Sequence, residues 1–114
     1  FGDGGITALG ANVLNMAIIG GCTGLYTFKA LKGKLGIYAS AGIGAWLATV
    51  VAALACAIEM AIAGTFPINI GIPSMVLYHV FIGIIEAVLT VIVLLALDKF
   101  RPDLLAWNRG EADE

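Results

Sequence analysis

One apolar stretch, Ile72 to Leu97, constrains this chain more than any other feature of its sequence. It reads IPSMVLYHVFIGIIEAVLTVIVLLAL and has the length that a helix needs to cross the hydrocarbon core of a bilayer. Within it, only His79 and Glu86 can carry a charge near neutral pH. An imidazole and a carboxylate are costly at membrane depth, so such residues usually face a protein interior or a polar path. Because they lie seven residues apart, we expect both on one face of the helix.

The composition of the whole chain is that of a membrane protein. Of its 114 residues, 61% are hydrophobic and 12% are charged, and the mean hydropathy of +1.01 is far above the soluble average. The formal net charge of −2, without any basic patch, argues against binding of nucleic acid. Cys22 and Cys56 both lie in apolar runs, so we expect small buried hydrophobes rather than a disulfide or a metal pair.

The first apolar segment extends from about residue 6 to residue 31 and is the least hydrophobic of three. Asn12 and Asn15 share one face of it, and Gly20 and Gly24 form a GxxxG step on which another helix can pack closely. The two asparagines either form hydrogen bonds between helices or line a polar access route. Both interpretations stay open at this point.

The second and third segments are predicted at residues 38–63 and 72–97. Glu59 is the only charged residue of the second segment. Small residues follow one another along it at helical spacing, which favours close packing; they are Ala41, Ala45, Ala48, Ala52 and Cys56. An uncharged loop, TFPINIGIP, is expected between the two segments, bracketed by Pro67 and Pro73, and Gly64 is expected to cap the second helix.

The charge distribution predicts the topology. Lys29, Lys32 and Lys34 lie in the expected loop FKALKGKLG between the first two segments, and an excess of lysine marks the cytoplasmic side of a membrane. We therefore predict an all-α integral membrane bundle of three transmembrane helices that starts outside. Its tail, residues 98–114, is then cytoplasmic.

In this topology the polar side chains collect toward the outer half of the bundle. Glu59 and His79 lie near the outer ends of their segments, so antiparallel neighbours could bring them together. Glu86, near the middle, should be protonated or have a partner such as Asn12, Asn15 or a residue outside this chain. We therefore predict an outward-opening cup. The candidate pathway or supporting residues are Asp3, Asn12, Asn15, Glu59, His79 and Glu86.

Motifs of the common hydrolases and nucleotide-binding enzymes are missing from the sequence. His79 is followed by Val80 and Phe81 rather than by a metalloprotease HExxH, and neither serine lies in a GxSxG. Gly33 and Lys34 are followed by leucine, so no phosphate-binding GxxxxGK[ST] is present. We predict a protein that is not an enzyme, with any ATP hydrolysed by another chain.

Three strings of residues carry a resemblance to a known family. They are GDGGITALGANVLNMAIIGG (Gly2 to Gly21), LACAIEMAIAGTFP (Leu54 to Pro67) and the stretch from Ile72 to Leu97. Together they resemble the second half of the cobalt and nickel uptake permeases of the CbiM/NikM family, the substrate-binding membrane subunits of energy-coupling-factor transporters. The resemblance covers nearly the whole chain up to about Leu105.

The resemblance implies a multi-pass subunit of the cell membrane that captures a divalent cobalt or nickel ion from outside. Such a subunit holds no permanent cofactor, is surrounded by lipid, works with a transmembrane coupling subunit and ATPase subunits, and can supply cobalt for cobalamin biosynthesis. In the family the ion is held chiefly by the amino-terminal amine and by histidines in the first half of the subunit. We therefore expect this chain to be a fragment or a processed product, with the primary metal ligands upstream of Phe1.

The residues alone leave other functions open. His79 could be a direct ligand, a supporting residue paired with Glu59, or a satisfied interhelical hydrogen bond. A secondary transporter coupled to ions or protons could use Glu59, His79 and Glu86 as a relay, and its uptake would survive loss of the ATPase. In a non-transporting membrane scaffold, replacing Glu59 or His79 by Gln would change stability but no flux.

Overall fold

Residues 5–105, which the computed structural model describes, form three long helices with short connections. The helices are α1 (Ile6–Leu35), α2 (Ile37–Ile62) and α3 (Ile68–Phe100), each long and apolar enough to cross a membrane. A short 3-10 turn, Pro102–Leu104, follows α3. The predicted all-α bundle with three transmembrane helices is confirmed. The candidate Asp3 lies outside the described residues.

Helix α1 is continuous but not uniform. It begins with a 3-10 turn, Ile6–Ala8, and a short α-helical turn, Leu9–Asn12. The segment Val13–Gly20 is π-helical, and Gly21–Leu35 returns to α-helical geometry. A π-helical stretch is rare and is found frequently at functional sites.

The loop expected at residues 28–36 is largely helical, so this part of the prediction is wrong. Lys32 and Lys34 lie in the last turn of α1, where good helix formers with a positive charge favour continuation. The break is confined to Gly36, whose φ of 85° is a conformation that residues with a side chain rarely adopt. One glycine therefore connects α1 to α2.

The connection between α2 and α3 is also shorter than expected. Gly64 has a φ of 73° and its N–H donates to the Ala61 carbonyl, which confirms the predicted cap. Helix α3 then begins directly after Pro67, and Pro73 lies inside the helix rather than at its start. Transmembrane helices tolerate an internal proline because neighbouring groups satisfy the freed carbonyl. The predicted start of this span at residue 72 is therefore too late.

Helices α1 and α2 pack antiparallel through small residues. A Cβ placed on Gly20 would lie 3.5 Å from the Ala52 Cβ, and one on Gly24 would lie 3.5 Å from the Ala48 Cβ. A Cβ on Gly44 would lie 3.0 Å from the Gly24 carbonyl oxygen. The predicted close packing of a helix on the GxxxG step is confirmed, and the structure shows that its partner is the small-residue stripe of α2.

Helices α2 and α3 pack antiparallel through larger side chains. The Trp46 indole lies over Gly83, and its Nε1 donates to the Val80 carbonyl at 3.0 Å. Nearer the α2–α3 connection, Met75 is fully buried and belongs to a core cluster on α2. The other buried members of that cluster are Ala53, Cys56 and Ala57.

Candidate functional site

Helix α2 packs against both of its neighbours, while α1 and α3 have no extensive contact with one another in residues 5–105. An open groove therefore lies between α1 and α3, with α2 as its floor, and it encloses a cavity of about 460 Å³. The floor of the groove consists mostly of small side chains of α2, which leave the cavity open. The lining residues with polar side chains are Asn12, Asn15, Thr49, His79 and Glu86, together with the thiol of Cys56.

Asn15 lies in the π-helical segment of α1 and is almost completely buried, with 1% of its surface exposed. Its Nδ2 donates a hydrogen bond of 2.7 Å to Oε2 of Glu59 on α2. Glu59 itself does not line the groove. The structure therefore connects Glu59 to the groove through the Asn15 carboxamide.

The other end of that carboxamide has no hydrogen bond. Oδ1 of Asn15 is buried and has no partner among the described residues. Because the amide nitrogen donates to Glu59, the carboxamide oxygen faces away from that side chain. An unsatisfied buried acceptor costs about 1–3 kcal/mol, and Oδ1 of Asn15 is the one buried side-chain nitrogen or oxygen atom of residues 5–105 in this state.

His79 is held in one orientation by its own helix. Its Nδ1 lies 2.8 Å from the carbonyl oxygen of Met75, one turn earlier in α3. Because a carbonyl only accepts, Nδ1 carries the hydrogen of this bond, and a neutral ring then has its lone pair on Nε2. Burial of Met75 in the α2–α3 core anchors the bond, so the packing of α3 sets the direction of the imidazole.

Glu86 lines the same wall of the groove as His79, as the spacing of the two residues predicted. Its side chain is exposed in residues 5–105, and none of the hydrogen bonds and ion pairs within this range involves it. A carboxylate in this position inside a membrane needs a donor or a cation. Asn15, one of the partners suggested for Glu86, donates its amide hydrogen to Glu59 instead.

The expected meeting of Glu59 and His79 depended on their depth in the bundle. Because α3 begins at Ile68, His79 lies eleven residues into the helix, about 16 Å at the rise of an α-helix. Glu59 lies three residues before the end of α2 at Ile62, about 5 Å by the same rise. His79 is thus the deeper residue, and a direct pair with Glu59 stays a prediction.

The described part of the chain does not hold a complete metal site. No group of three or more His, Cys, Asp and Glu side chains in residues 5–105 is arranged to bind a metal ion. Cys56 is a lining residue that the sequence interpretation treated only as a buried hydrophobe, and it is indeed buried. Its place in the small-residue stripe of α2 was the signal that it would face the groove.

The opposite end of the bundle carries the basic residues. Every lysine and arginine of residues 5–105 lies there, and the Tyr38 hydroxyl joins α2 to α3 by donating to Asp98 at 2.9 Å. Arg101 forms an exposed bidentate pair with Asp103, and this hydrogen bonding raises the pKa of the guanidinium. The basic residues are Lys29, Lys32, Lys34, Lys99 and Arg101.

Comparison with known proteins identifies similar sequences. The profile of the family described as the cobalt uptake substrate-specific transmembrane region, CbiM, matches residues 1–104. A putative metal transport protein of Methanocaldococcus jannaschii is 37% identical over 112 residues, which cover 91% of this chain and 50% of that protein. A putative fused nickel transport protein, NikMN, of Archaeoglobus fulgidus is 36% identical, over 92% of this chain and 36% of that protein.

A third relative is the cobalt transport protein CbiM of Acetoanaerobium sticklandii, which is 34% identical over 88% of this chain and 44% of that protein. The chain thus spans 36% to 50% of the length of these relatives. No solved structure gives a significant match.

Proposed function

The chain belongs to the CbiM family of cobalt uptake transmembrane proteins, and from this premise we propose that it forms part of a subunit that captures divalent cobalt or nickel for an ATP-driven importer. In this proposal the subunit is of the energy-coupling-factor type. ATP is hydrolysed by partner ATPase subunits, and a transmembrane coupling subunit joins them to this one. The relatives named above are cobalt, nickel and metal transport proteins, which supports a cation as the substrate.

The observation that carries the proposal is the polar groove in an apolar bundle. Amide, imidazole and carboxylate groups line one cavity between α1 and α3, although each is costly at membrane depth. Imidazole nitrogen and carboxylate or amide oxygen are ligand types that first-row divalent ions accept. A cation that moves through the groove would meet Asn12, Asn15, His79 and Glu86.

The primary ligands are proposed to lie in a part of the complete protein outside this chain. A cobalt or nickel site favours several nitrogen ligands, and this chain contains one histidine. The groove residues would then serve as an access route or as supporting groups. Asp3 keeps the same proposed role.

The charge distribution supports an orientation in the cell membrane. The basic end of the bundle, with Lys29, Lys32 and Lys34 on α1, is placed in the cytoplasm by the positive-inside rule. The chain then ends in the cytoplasm, on the side where ATPase subunits work. The connection between α2 and α3 faces outward, and so does the end of the groove nearest Asn12.

The experiment that tests the proposal is uptake of radiolabelled cobalt and nickel by cells expressing the complete protein that contains this chain, with and without its ATPase partner. We expect ATPase-dependent uptake that falls strongly in His79→Gln and Glu86→Gln. Thr90→Val is the matched control, because it removes a polar group from α3 that does not line the groove. The amount of folded protein is measured for each variant.

The other outcomes point to the alternative functions. Uptake that follows a proton gradient and survives loss of the ATPase would replace the proposal with a secondary transporter. Uptake of neither metal, with variants that change only the stability of the protein, would leave a membrane scaffold.

A further inference from the structure

We propose that the side-chain oxygen Oδ1 of Asn15 contacts the cation in the groove and that Glu59 is the positioning residue that orients the Asn15 carboxamide. This inference rests on the proposed function, since it assumes that a cation enters the groove. It separates two residues that the sequence placed together as pathway groups. Asn15 touches the ion or its water shell, whereas Glu59 acts only through Asn15.

The Asn15 carboxamide has a defined orientation. An asparagine side chain can turn over and exchange its nitrogen and oxygen, but here the nitrogen donates the hydrogen bond of 2.7 Å to the Glu59 side chain. The oxygen is thereby directed away from α2's Glu59 at a residue that lines the groove. Only 1% of the residue is exposed, so Oδ1 is not hydrated by bulk water in this arrangement.

The oxygen of the Asn15 carboxamide lacks a hydrogen-bond partner in residues 5–105. Oδ1 is a buried acceptor without a hydrogen bond, and such atoms are rarely left unsatisfied in native proteins. Whatever fills the groove beside it must therefore be electropositive, as a hydrated metal ion or a hydrogen-bond donor is. An apolar helix face would leave the cost of this atom in place.

The charges of the bundle also favour a cation in the groove. The groove carries the carboxyl group of Glu86, and none of its lining residues is a lysine or arginine. All the lysine and arginine side chains of residues 5–105 lie at the other end of the bundle. The electrostatic complement of this lining is a mobile cation. The bond from the Asn15 amide to Glu59 adds to this effect, since a hydrogen-bond acceptor on the amide N–H makes the amide oxygen a stronger donor of electrons, as outer-shell partners do for metal-bound histidines.

The test uses the exchange of the two side chains in the complete protein. In Glu59→Gln, the new amide can donate as well as accept, so the Asn15 carboxamide is no longer fixed. In Asn15→Asp, two carboxylates face each other across the bond. In the double variant Asn15→Asp/Glu59→Gln, the glutamine donates to one aspartate oxygen, and the other oxygen points into the groove. Asn69→Asp, at an exposed position of α3 outside the groove, is the matched control.

We measure the KM of cobalt uptake, the Kd for cobalt by calorimetry on purified protein, and the inhibition of uptake by manganese. Loss of a residue that orients a metal ligand typically weakens metal affinity by about 10–100-fold, so we expect this rise in KM and Kd for Glu59→Gln. The double variant should recover most of the loss. It should also be inhibited more strongly by manganese, because the exchange puts a carboxylate with its negative charge at position 15, and manganese is a hard ion that binds oxygen ligands.

A structural role for the pair predicts a different pattern. If Glu59→Gln lowers thermal stability but leaves KM, Kd and the order of metals unchanged, the inference is wrong. If a single variant does not fold, the double variant decides, since an unchanged response to manganese contradicts the inference and an increased one supports it. A wild-type protein that neither transports nor binds either metal removes the proposed function together with this inference. If the wild-type protein transports the metals and the variants match it in KM, Kd and inhibition by manganese, only this inference is wrong and the proposed function stands.

Discussion

The two faces of α2 hold their neighbours by different means. Toward α1, the contact is between backbones. A Cβ on Gly44 would lie 3.0 Å from the carbonyl oxygen of Gly24. Toward α3, the contact is between a large side chain and a notch, with the Trp46 indole over Gly83. In the first type of contact, the atom that a Cβ on Gly44 would meet belongs to the α1 backbone, which has no other rotamer to adopt, so the helix itself must shift. The second can adjust by turning a side chain.

This difference determines how each wall of the groove is positioned. The glycine contact sets the register of α1 and therefore the place of Asn12 and Asn15. The tryptophan contact sets the register of α3 and therefore the place of His79 and Glu86. Changes on the α1 face should move a whole helix, whereas changes on the α3 face should be partly absorbed.

The largest effect is expected from Gly44→Leu. The leucine would collide with the α1 backbone at Gly24, and overpacking of this kind costs about 1–3 kcal/mol, occasionally more. We expect a marked loss of thermal stability in detergent together with loss of metal uptake, because α1 must move away from the groove floor. Gly33→Leu is the control, since nothing lies within 4 Å of a Cβ at that position. Equal losses in the two variants would show that the backbone contact does not determine the α1 register.

A smaller effect is expected from Gly83→Ala. The added Cβ would lie 2.8 Å from Cδ1 of Trp46, so the indole must turn and its bond to the Val80 carbonyl breaks. We expect a loss of about 1–2 kcal/mol from the clash, measured by thermal unfolding. Combining it with Trp46→Phe should give less than the sum of the two single effects, because the smaller ring relieves the clash. Additive effects would contradict the notch interpretation.

Trp46→Phe alone should have a still smaller effect. It removes one interhelical hydrogen bond of 3.0 Å and part of the ring, and hydrogen bonds of this kind inside membranes average about 0.6 kcal/mol. We expect a small decrease in thermal stability with metal uptake retained, since α3 keeps its contact through Met75. A loss of uptake without a loss of stability would mean that the tryptophan orients the α3 wall of the groove by more than packing.

Much of this arrangement could be predicted from the sequence, because crossing a bilayer demands long apolar helices and close packing demands small residues. The contact between the GxxxG step at Gly20 and the small-residue stripe at Ala52 defines the register of α1 against α2. Asn15 lies five residues before Gly20, and Glu59 lies seven residues after Ala52. The structure joins these two side chains by a hydrogen bond. The sequence interpretation used depth from the predicted helix ends instead, and α3 begins earlier than predicted.

The helix ends could not be predicted because the usual signals compete. The lysines before Gly36 indicated a cytoplasmic loop, although a helix can carry them in its last turn. Pro73 indicated a helix start, although a membrane helix tolerates it inside. The π-helical geometry around Asn15 and the unsatisfied oxygen of the Asn15 side chain depend on tertiary packing. Neither feature could be predicted from a pattern of residue types.

The smallest effect is expected far from the groove, at the hydrogen bond between Tyr38 and Asp98. This bond joins the exposed ends of α2 and α3 at 2.9 Å, where water competes for both partners, so Tyr38→Phe should lower the free energy of unfolding only slightly. We expect a slight change in thermal stability and unaltered uptake. Asp98→Asn, which keeps an acceptor for the hydroxyl, should change stability still less. A large loss of uptake in Tyr38→Phe would break the comparison between the two faces of α2, because the register of α3 would then depend on the basic end of the bundle rather than on the Trp46 notch.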